Sequence, residues 1–340
     1  YQIGNKFMKT YYSKKILGGF LKTKNFMFSE NKNLLNDALK INKLYLKQKQ
    51  RDYCKNCENK IDRKKYFKSF GVKYFCCKIC DHINGEREDT DRYVKKLYIN
   101  DKKFIYGKKY LKDFDNKVKN IYIPKVNFIK KHVKNPKILD LGAGAGQFLK
   151  ACEKKKIKGI GYDTSKELVN FSKKQLTKNK VYLSDLSDIK NIILNSDANC
   201  ITLISVLEHL QKPNEFFKIF KKSNIKYLFF SIPLFSLTAI IENAFQNIYP
   251  RNLFGPHTHM YTKKSIYYIL KKHNFKIIAE WWFGSDFLDL SRVIKLSMPS
   301  SSNLKSKKFD SYFFKHIDKF QSILDKDKNS SDLQILITKK

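Results

Sequence analysis

The sequence predicts an α/β protein, in which residues 134–340 read as a doubly wound sheet of seven strands preceded by a small helical and cysteine-rich region. Three observations carry this. After Asn135-Pro136, short apolar runs alternate with longer amphipathic stretches, the texture of strands and helices taking turns. The first run continues into a glycine turn, KILDLGAGAGQF, with a helix expected from about Gln147. Five of the seven cysteines fall between residues 51 and 95.

Each element follows in order. Residues 1–50 hold scattered aromatics and then Leu34, Leu35, Ala38, Leu39, Asn42 and Leu46, a helical spacing that ends in KQKQRD. Residues 51–95 form the cysteine region, and residues 96–133 read as a Tyr- and Lys-rich connector containing helix. The seven strands are KILDL, IKGIGYD, KVYLSD, ANCITLIS, IKYLFFSI, FKIIAEWWF and DLQILIT. An insertion from Gly284 to Ser331 separates the last two, and its SMPSSSNLKSKK stretch reads as a loop. No internal repeat is evident.

Of the 340 residues, 42% are hydrophobic and 14% aromatic, enough to bury a sizeable core in one or two domains. The formal charge of +38 invites a nucleic-acid reading, because a basic face attracts phosphate. Only six of the 69 basic residues are arginine, however, and arginine is the side chain suited to bidentate phosphate and guanine contacts. Lysine is spread along the whole chain beside abundant Asn, Ile, Tyr and Phe, a usage typical of an AT-rich genome. The surplus therefore reads as a solvated lysine-rich surface, with a nucleic-acid or anionic-membrane surface as the alternative. The most apolar run, Tyr227 to Ile241, is broken by Pro233 and too short to span a bilayer, so the expectation is a soluble, cytoplasmic protein. Because residue 1 is Tyr1 rather than Met, nothing about a leader is read from the N-terminus.

Gly142, Gly144 and Gly146 directly follow the first strand, where a tight turn needs unusual φ angles and a ligand must approach the backbone without meeting a Cβ. A dinucleotide fingerprint would be G-x-G-x-x-G. Here the third glycine comes one residue early, and Asp140 stands two residues before the first. This D-x-G-x-G-x-G arrangement resembles motif I of class I S-adenosylmethionine-dependent methyltransferases. The resemblance continues with Gly161-Tyr162-Asp163 after the second strand, Ser184-Asp185 after the third, and Leu207-Glu208-His209-Leu210 with Pro213 after the fourth. It covers residues from about 134 to 340. It implies a Rossmann-like methyltransferase domain with S-adenosyl-L-methionine held by Asp140, Gly142, Gly144, Gly146, Asp163 and Asp185. In that reading Asp163 accepts from the ribose hydroxyls and Asp185 lies at the adenine.

The cysteine region contains Cys54-Lys-Asn-Cys57 and, after nineteen residues, Cys77-Lys-Ile-Cys80. A two-residue gap lets both sulfurs of a knuckle reach one ion, and two knuckles complete a four-cysteine tetrahedron, as in a structural zinc ribbon. Disulfides compete as a reading, but a nucleotide-type cofactor domain points to a reducing compartment, where bridges are rare. Cys76 could replace its neighbour Cys77, and His82 is a weaker substitute. Four protein ligands leave no open position for catalysis. Cys152 and Cys200 read as small buried side chains.

A four-cysteine module before a class I domain resembles the sugar C-methyltransferases of deoxysugar biosynthesis and methyltransferases of surface-polysaccharide clusters. Those deoxysugar enzymes carry a further C-terminal domain, whereas this sequence ends at the seventh strand, so C-methylation is not carried over. Methyl transfer from a sulfonium is an in-line displacement, and a hydroxyl acceptor must also lose its proton. Glu208 and His209, just past the fourth strand, and His257 and His259, in PRNLFGPHTHMYT, are the catalytic candidates, since histidine titrates near neutral pH. Arg251 is the candidate for holding a phosphate or carboxylate of the substrate. A histidine near a helix start is also often a structural residue or cap, and Trp281-Trp282-Phe283 reads as buried strand before a sugar-stacking wall. The expected partner is thus a small polar acceptor, a nucleotide-linked sugar or glycan intermediate by analogy. The alternatives are an RNA methyltransferase using the basic surface and a binding module that has lost turnover. Sparse arginine, and ISVLEH where an N-P-P-Y-type tetrad would stand, favour the first.

Overall fold

A computed structural model describes residues 9–12, 26–98, 111, 113–299, 301 and 307–340, and twelve strands order the described residues. They are β1 (Lys9–Tyr12), β2 (Phe67–Ser69), β3 (Val72–Cys76), β4 (Ile83–Gly85), β5 (Ile138–Leu141), β6 (Gly159–Asp163), β7 (Lys180–Leu183), β8 (Cys200–Ile204), β9 (Tyr227–Pro233), β10 (His259–Met260), β11 (Phe275–Trp282) and β12 (Asp332–Lys339). Part of the expected 96–133 connector (99–110 and 112) and half of the SMPSSSNLKSKK stretch (300 and 302–306) lie outside the described residues.

The seven apolar runs become β5 to β9, β11 and β12 of one sheet, ordered β1-β11-β12-β9-β8-β5-β6-β7. Every pairing is parallel except those of β12, which runs antiparallel to both β9 and β11. Helices cover both faces, so the central strands are buried on both sides and read as continuous apolar runs. Alternation decides which face each side chain enters. Ile138 and Phe229 join one core with Phe148, Leu149 and Leu336. Leu139, Leu141 and Phe230 join the other with Leu203, Phe217 and Ile335. Trp282 is fully buried in that second core and Trp281 is buried in the first, so neither forms an exposed stacking wall.

An eighth strand, which the sequence does not announce, extends the sheet: β1 pairs in parallel with β11, Thr10 opposite Glu280. The N-terminal region therefore holds a strand as well as the expected helix, Asn31–Leu46. That helix buries Ala38, Ile41, Asn42 and Tyr45, a stripe rotated from the leucine pattern, and Leu39 stays at the surface. Asn42 drives part of the rotation: its Nδ2 donates to the Phe70 carbonyl at 2.8 Å and its Oδ1 accepts from the Gly255 amide at 2.5 Å.

The cysteine region folds on a second sheet, ordered β10-β4-β3-β2 and antiparallel throughout. Its outer strand β10 comes from far downstream, His259 opposite Asn84 and Met260 opposite Ile83. The two sheets are thus joined by the segment that carries the histidine candidates. Before β5, helix Phe114–Lys117 runs through a wider π turn, Val118–Tyr122, into helix Ile123–His132. No helix among the described residues is long and apolar enough to cross a membrane.

Candidate active site

The carboxyl ends of β5 to β8 open on a cavity of about 470 Å3, the place where doubly wound sheets bind ligands. Its floor is the glycine turn. Gly142, Gly144 and Gly146 have φ of 72°, 56° and 80°, and a Cβ on Gly142 would lie 2.5 Å from Val206 Cγ2. The amides of Gly142 and Ala143 both donate to the Tyr162 carbonyl, at 2.9 and 3.0 Å. Asp163, at the end of β6, accepts from the Gly144 amide at 2.7 Å on one carboxylate oxygen and from the Ser165 amide at 2.8 Å on the other. Burial raises the Asp163 carboxyl above its ordinary range, with the amides of Ser165, Gly144 and Thr164 opposing.

Gly142, Gly144, Asp163, Asp185, His209 and Leu210 all line this cavity. Asp140 and Gly146 stand behind the wall. Asp140 is buried beneath the turn, accepts from Thr202 Oγ1 at 2.6 Å, and is pushed up to about 7 by burial. Gly146 begins helix Gln147–Lys154, and a Cβ there would press on Leu176 and Ser172 at 3.1 Å.

Two wall elements carry no sequence signature. Ser205 adopts φ 55° after β8 and donates its amide to the Ser231 carbonyl at 2.8 Å, an uncommon backbone for a residue with a Cβ. The π turn places Ile121 and Tyr122 over the cavity, and such turns recur at functional sites. Lys125 follows on the same helical segment, buried, with Nζ donating to Ser231 Oγ at 2.9 Å. Burial lowers it to about 8.

Of the four catalytic candidates the structure gathers three. Donor atoms of Glu208, His209 and His257 lie within 4.8 Å of one another, and the two imidazoles stack with centroids 5.0 Å apart. His209 Nδ1 is 3.2 Å from the Pro256 carbonyl, and His257 Nδ1 is 2.9 Å from the Asn252 carbonyl. Burial lowers His209 to about 3 and His257 to about 4, so both rings are neutral at physiological pH. It raises Glu208 to about 8.

His259 and Arg251 are placed elsewhere. His259 is buried in the small sheet, where its Nδ1 meets His82 Nε2 at 2.8 Å. It does not line the cavity, because β10 pairing with β4 holds it against the cysteine region. Arg251 is taken up by Asp289, with Nε at 2.9 Å from both carboxylate oxygens and Nη2 at 2.6 Å from Oδ2. It also donates to Ser285 Oγ at 2.9 Å, leaving its fork directed at the protein rather than at the cavity.

The cysteine pairs converge as their spacing requires. Cys54, Cys57, Cys77 and Cys80 are buried with their sulfurs within 4.8 Å of one another. The closest pairs, Cys54–Cys80 and Cys57–Cys77, stand 3.6 and 3.5 Å apart, too far for disulfides and near the ~3.8 Å edge of a tetrahedron with 2.3 Å metal–sulfur bonds. Both knuckles close alike. The amides of Glu58 and Asp81 reach back to the Cys54 and Cys77 carbonyls at 2.8 Å, each from a left-handed residue. Cys76 is exposed, its sulfur on Asp81, and His82 is committed to His259 and Ser265, so neither joins the cluster.

Residues 114–280 match the family model described as a methyltransferase domain. Among solved structures, the chain is similar to a SAM-dependent methyltransferase from Archaeoglobus fulgidus, at 20% identity and TM-score 0.44, covering 68% of this chain and 98% of that one. It is also similar to magnesium protoporphyrin IX methyltransferase from Synechocystis, at 11% identity and TM-score 0.43, covering 68% and 88%. A cyclopropane synthase from Mycobacterium tuberculosis follows at 14% identity and TM-score 0.42, covering 65% and 85%. No curated protein matches the sequence. With its strand order, its glycine turn at the end of β5 and the matched segment spanning β5 to most of β11, the chain carries an α/β methyltransferase fold.

Proposed function

We propose that the protein transfers the methyl group of S-adenosyl-L-methionine to a small polar acceptor. The observation that carries this is the lock between Asp163 and the Gly144 amide, which sets a carboxylate and a glycine turn in the lining of one cavity that His209 also lines. A cofactor carrying a ribose and a chain carboxylate fits such a wall, because the turn lets it approach the backbone and Asp163 can accept from hydroxyls. When bound, that cofactor supplies an electrophilic methyl on a sulfonium. The chain's own part is to orient: Gly142, Gly144 and Asp163 fix the donor end, Asp185 borders the base, and Ile121, Tyr122 and Leu210 shield the reacting atoms from water. His209 borders the space for the acceptor, and Glu208 and His257, which do not line the cavity, lie close to it. The acceptor class we favour is a nucleotide-linked sugar or glycan intermediate, on the sequence resemblance alone.

The four thiols fit one structural zinc ion, being closely spaced, buried and free of bridges. Reduced thiols and a nucleotide-type cofactor both suit the cytoplasm. Calorimetry with S-adenosylhomocysteine tests the proposal: binding should be lost or much weakened in Asp163→Ala and in Gly144→Val. Tight NADH binding with no response to S-adenosylhomocysteine would overturn it.

A further inference from the structure

We propose that Glu208, His209 and His257 form a second metal site, for a divalent first-row cation, at the wall of the cavity that His209 lines. Two imidazoles and one carboxylate are a donor set for Mn2+, Fe2+, Co2+, Ni2+ or Zn2+, distinct in kind from the four thiolates 54, 57, 77 and 80. Neighbouring donors around such a cation, each about 2.1 Å from it, stand roughly 3.0–3.4 Å apart. The three donors here lie within 4.8 Å, with Glu208 Oε1 at 4.0 Å from His209 Nε2, so that pair comes into range by closing about 1 Å or less and no pair needs more than about 1.8 Å.

The hydrogen bonds behind the rings point the same way. A carbonyl oxygen only accepts, so His209 Nδ1 donates to Pro256 and His257 Nδ1 donates to Asn252, which leaves the proton off Nε2 in both. That is how metal-ligating imidazoles are commonly fixed, by a donor bond from the remote ring nitrogen to a backbone carbonyl. One short segment, 252–257, supplies both carbonyls and one of the ligands.

Glu208 gives a separate indication. It is buried, and its Oε2 has no hydrogen-bond partner, a costly state for a carboxylate that a cation would relieve. Lys125 is near enough for its charge to act on Glu208, but its hydrogen bond goes to Ser231 Oγ and none reaches Glu208 Oε2. Three protein ligands leave positions open for other oxygens, and His209 borders the cavity. A hydroxyl, carboxylate or phosphate oxygen of the acceptor would take one of them. That last role rests on the proposed function, whereas the metal binding does not.

The test titrates the full chain, purified with its thiol-bound metal, with Mn2+ and follows free Mn2+ by electron paramagnetic resonance. The expected result is one Mn2+ per chain. Glu208→Gln and His257→Ala should weaken it by more than the about 10–100-fold that loss of an outer-shell partner costs, while Cys76→Ser, at an exposed thiol outside the cluster, should not. Pulsed resonance on wild-type protein should show nitrogen coupling from two imidazoles, a readout independent of whether any variant folds. No binding up to about 1 mM Mn2+, unchanged affinity in both variants, or bound Mn2+ without imidazole coupling would overturn the proposal. Calorimetry with S-adenosylhomocysteine, run on the same samples, keeps the two readings apart: cofactor binding without Mn2+ sinks the metal site alone, and Mn2+ without cofactor binding sinks the methyltransferase reading alone.

Discussion

Gly142→Ala should loosen the fold and the cofactor site together, for two reasons that can be sized separately. The residue sits at φ 72°, and a side chain in the left-handed region costs about 1–2 kcal/mol. The new Cβ would also stand 2.5 Å from Val206 Cγ2, a contact that side chains do not sustain. Displacing a packed neighbour in this way costs about 1–3 kcal/mol. Together these give about 2–5 kcal/mol, and a domain of this size loses about 2–4 °C per kcal/mol, so Tm should fall by roughly 10 °C. Val206→Ala in the same chain removes the clashing methyls but leaves the backbone strain. The double variant should therefore recover the steric part and show coupling of about 1 kcal/mol or more. Calorimetric unfolding of wild type, both single variants and the double variant measures this, with S-adenosylhomocysteine affinity recorded alongside. A Tm within about 1 °C of wild type for Gly142→Ala, or strictly additive effects in the cycle, would refute the steric argument.

Further outcomes are checkable. Burial holds Asp140 at about 7 against an ordinary 3.8, so the folded chain keeps a proton that the unfolded chain releases. Its contribution is full below about pH 4 and is lost as pH rises toward 7, and Asp140→Asn should flatten that part of the stability–pH curve by roughly 1–4 kcal/mol, read by urea unfolding. Elemental analysis should find zinc lost from Cys77→Ser and retained in Cys76→Ser, and the reverse pattern would show that the wrong neighbour has been placed in the cluster. An RNA acceptor engaged through six or more phosphates would lose affinity by orders of magnitude between about 50 and 200 mM salt. We expect no saturable RNA binding at physiological salt, and submicromolar binding that supports methyl transfer would replace the small-acceptor reading.

The sequence announces the large sheet because burial on both faces writes its strands as unbroken apolar runs, and the thiol cluster because knuckle spacing is itself the ligand geometry. Features made by long-range contact are silent. β1 is four residues at a sheet edge, too short for a period to register. His259 resembles a catalytic histidine until His82, 177 residues earlier, is seen to hold it. Arg251 resembles an anion ligand until Asp289, 38 residues later, takes its guanidinium. Lys125 cannot be picked out among 69 basic residues, and only burial sets it apart.

The segment from Asn252 to Met260 ties these parts into one structural unit. Its Asn252 and Pro256 carbonyls orient the two histidines beside the cavity. Two residues further on, His259 and Met260 complete the small sheet against β4, whose Asn84 donates to the Cys54 sulfur at 3.4 Å. The thiol cluster therefore has a short mechanical path to His257: Cys54 to Asn84, Asn84 across the ladder to His259, and two residues back along the chain. A metal that fixes the cysteines also fixes the strand partner of β10, and with it the loop that sets the imidazoles. A four-cysteine module with no open coordination position can in this way shape the cavity without taking part in its chemistry.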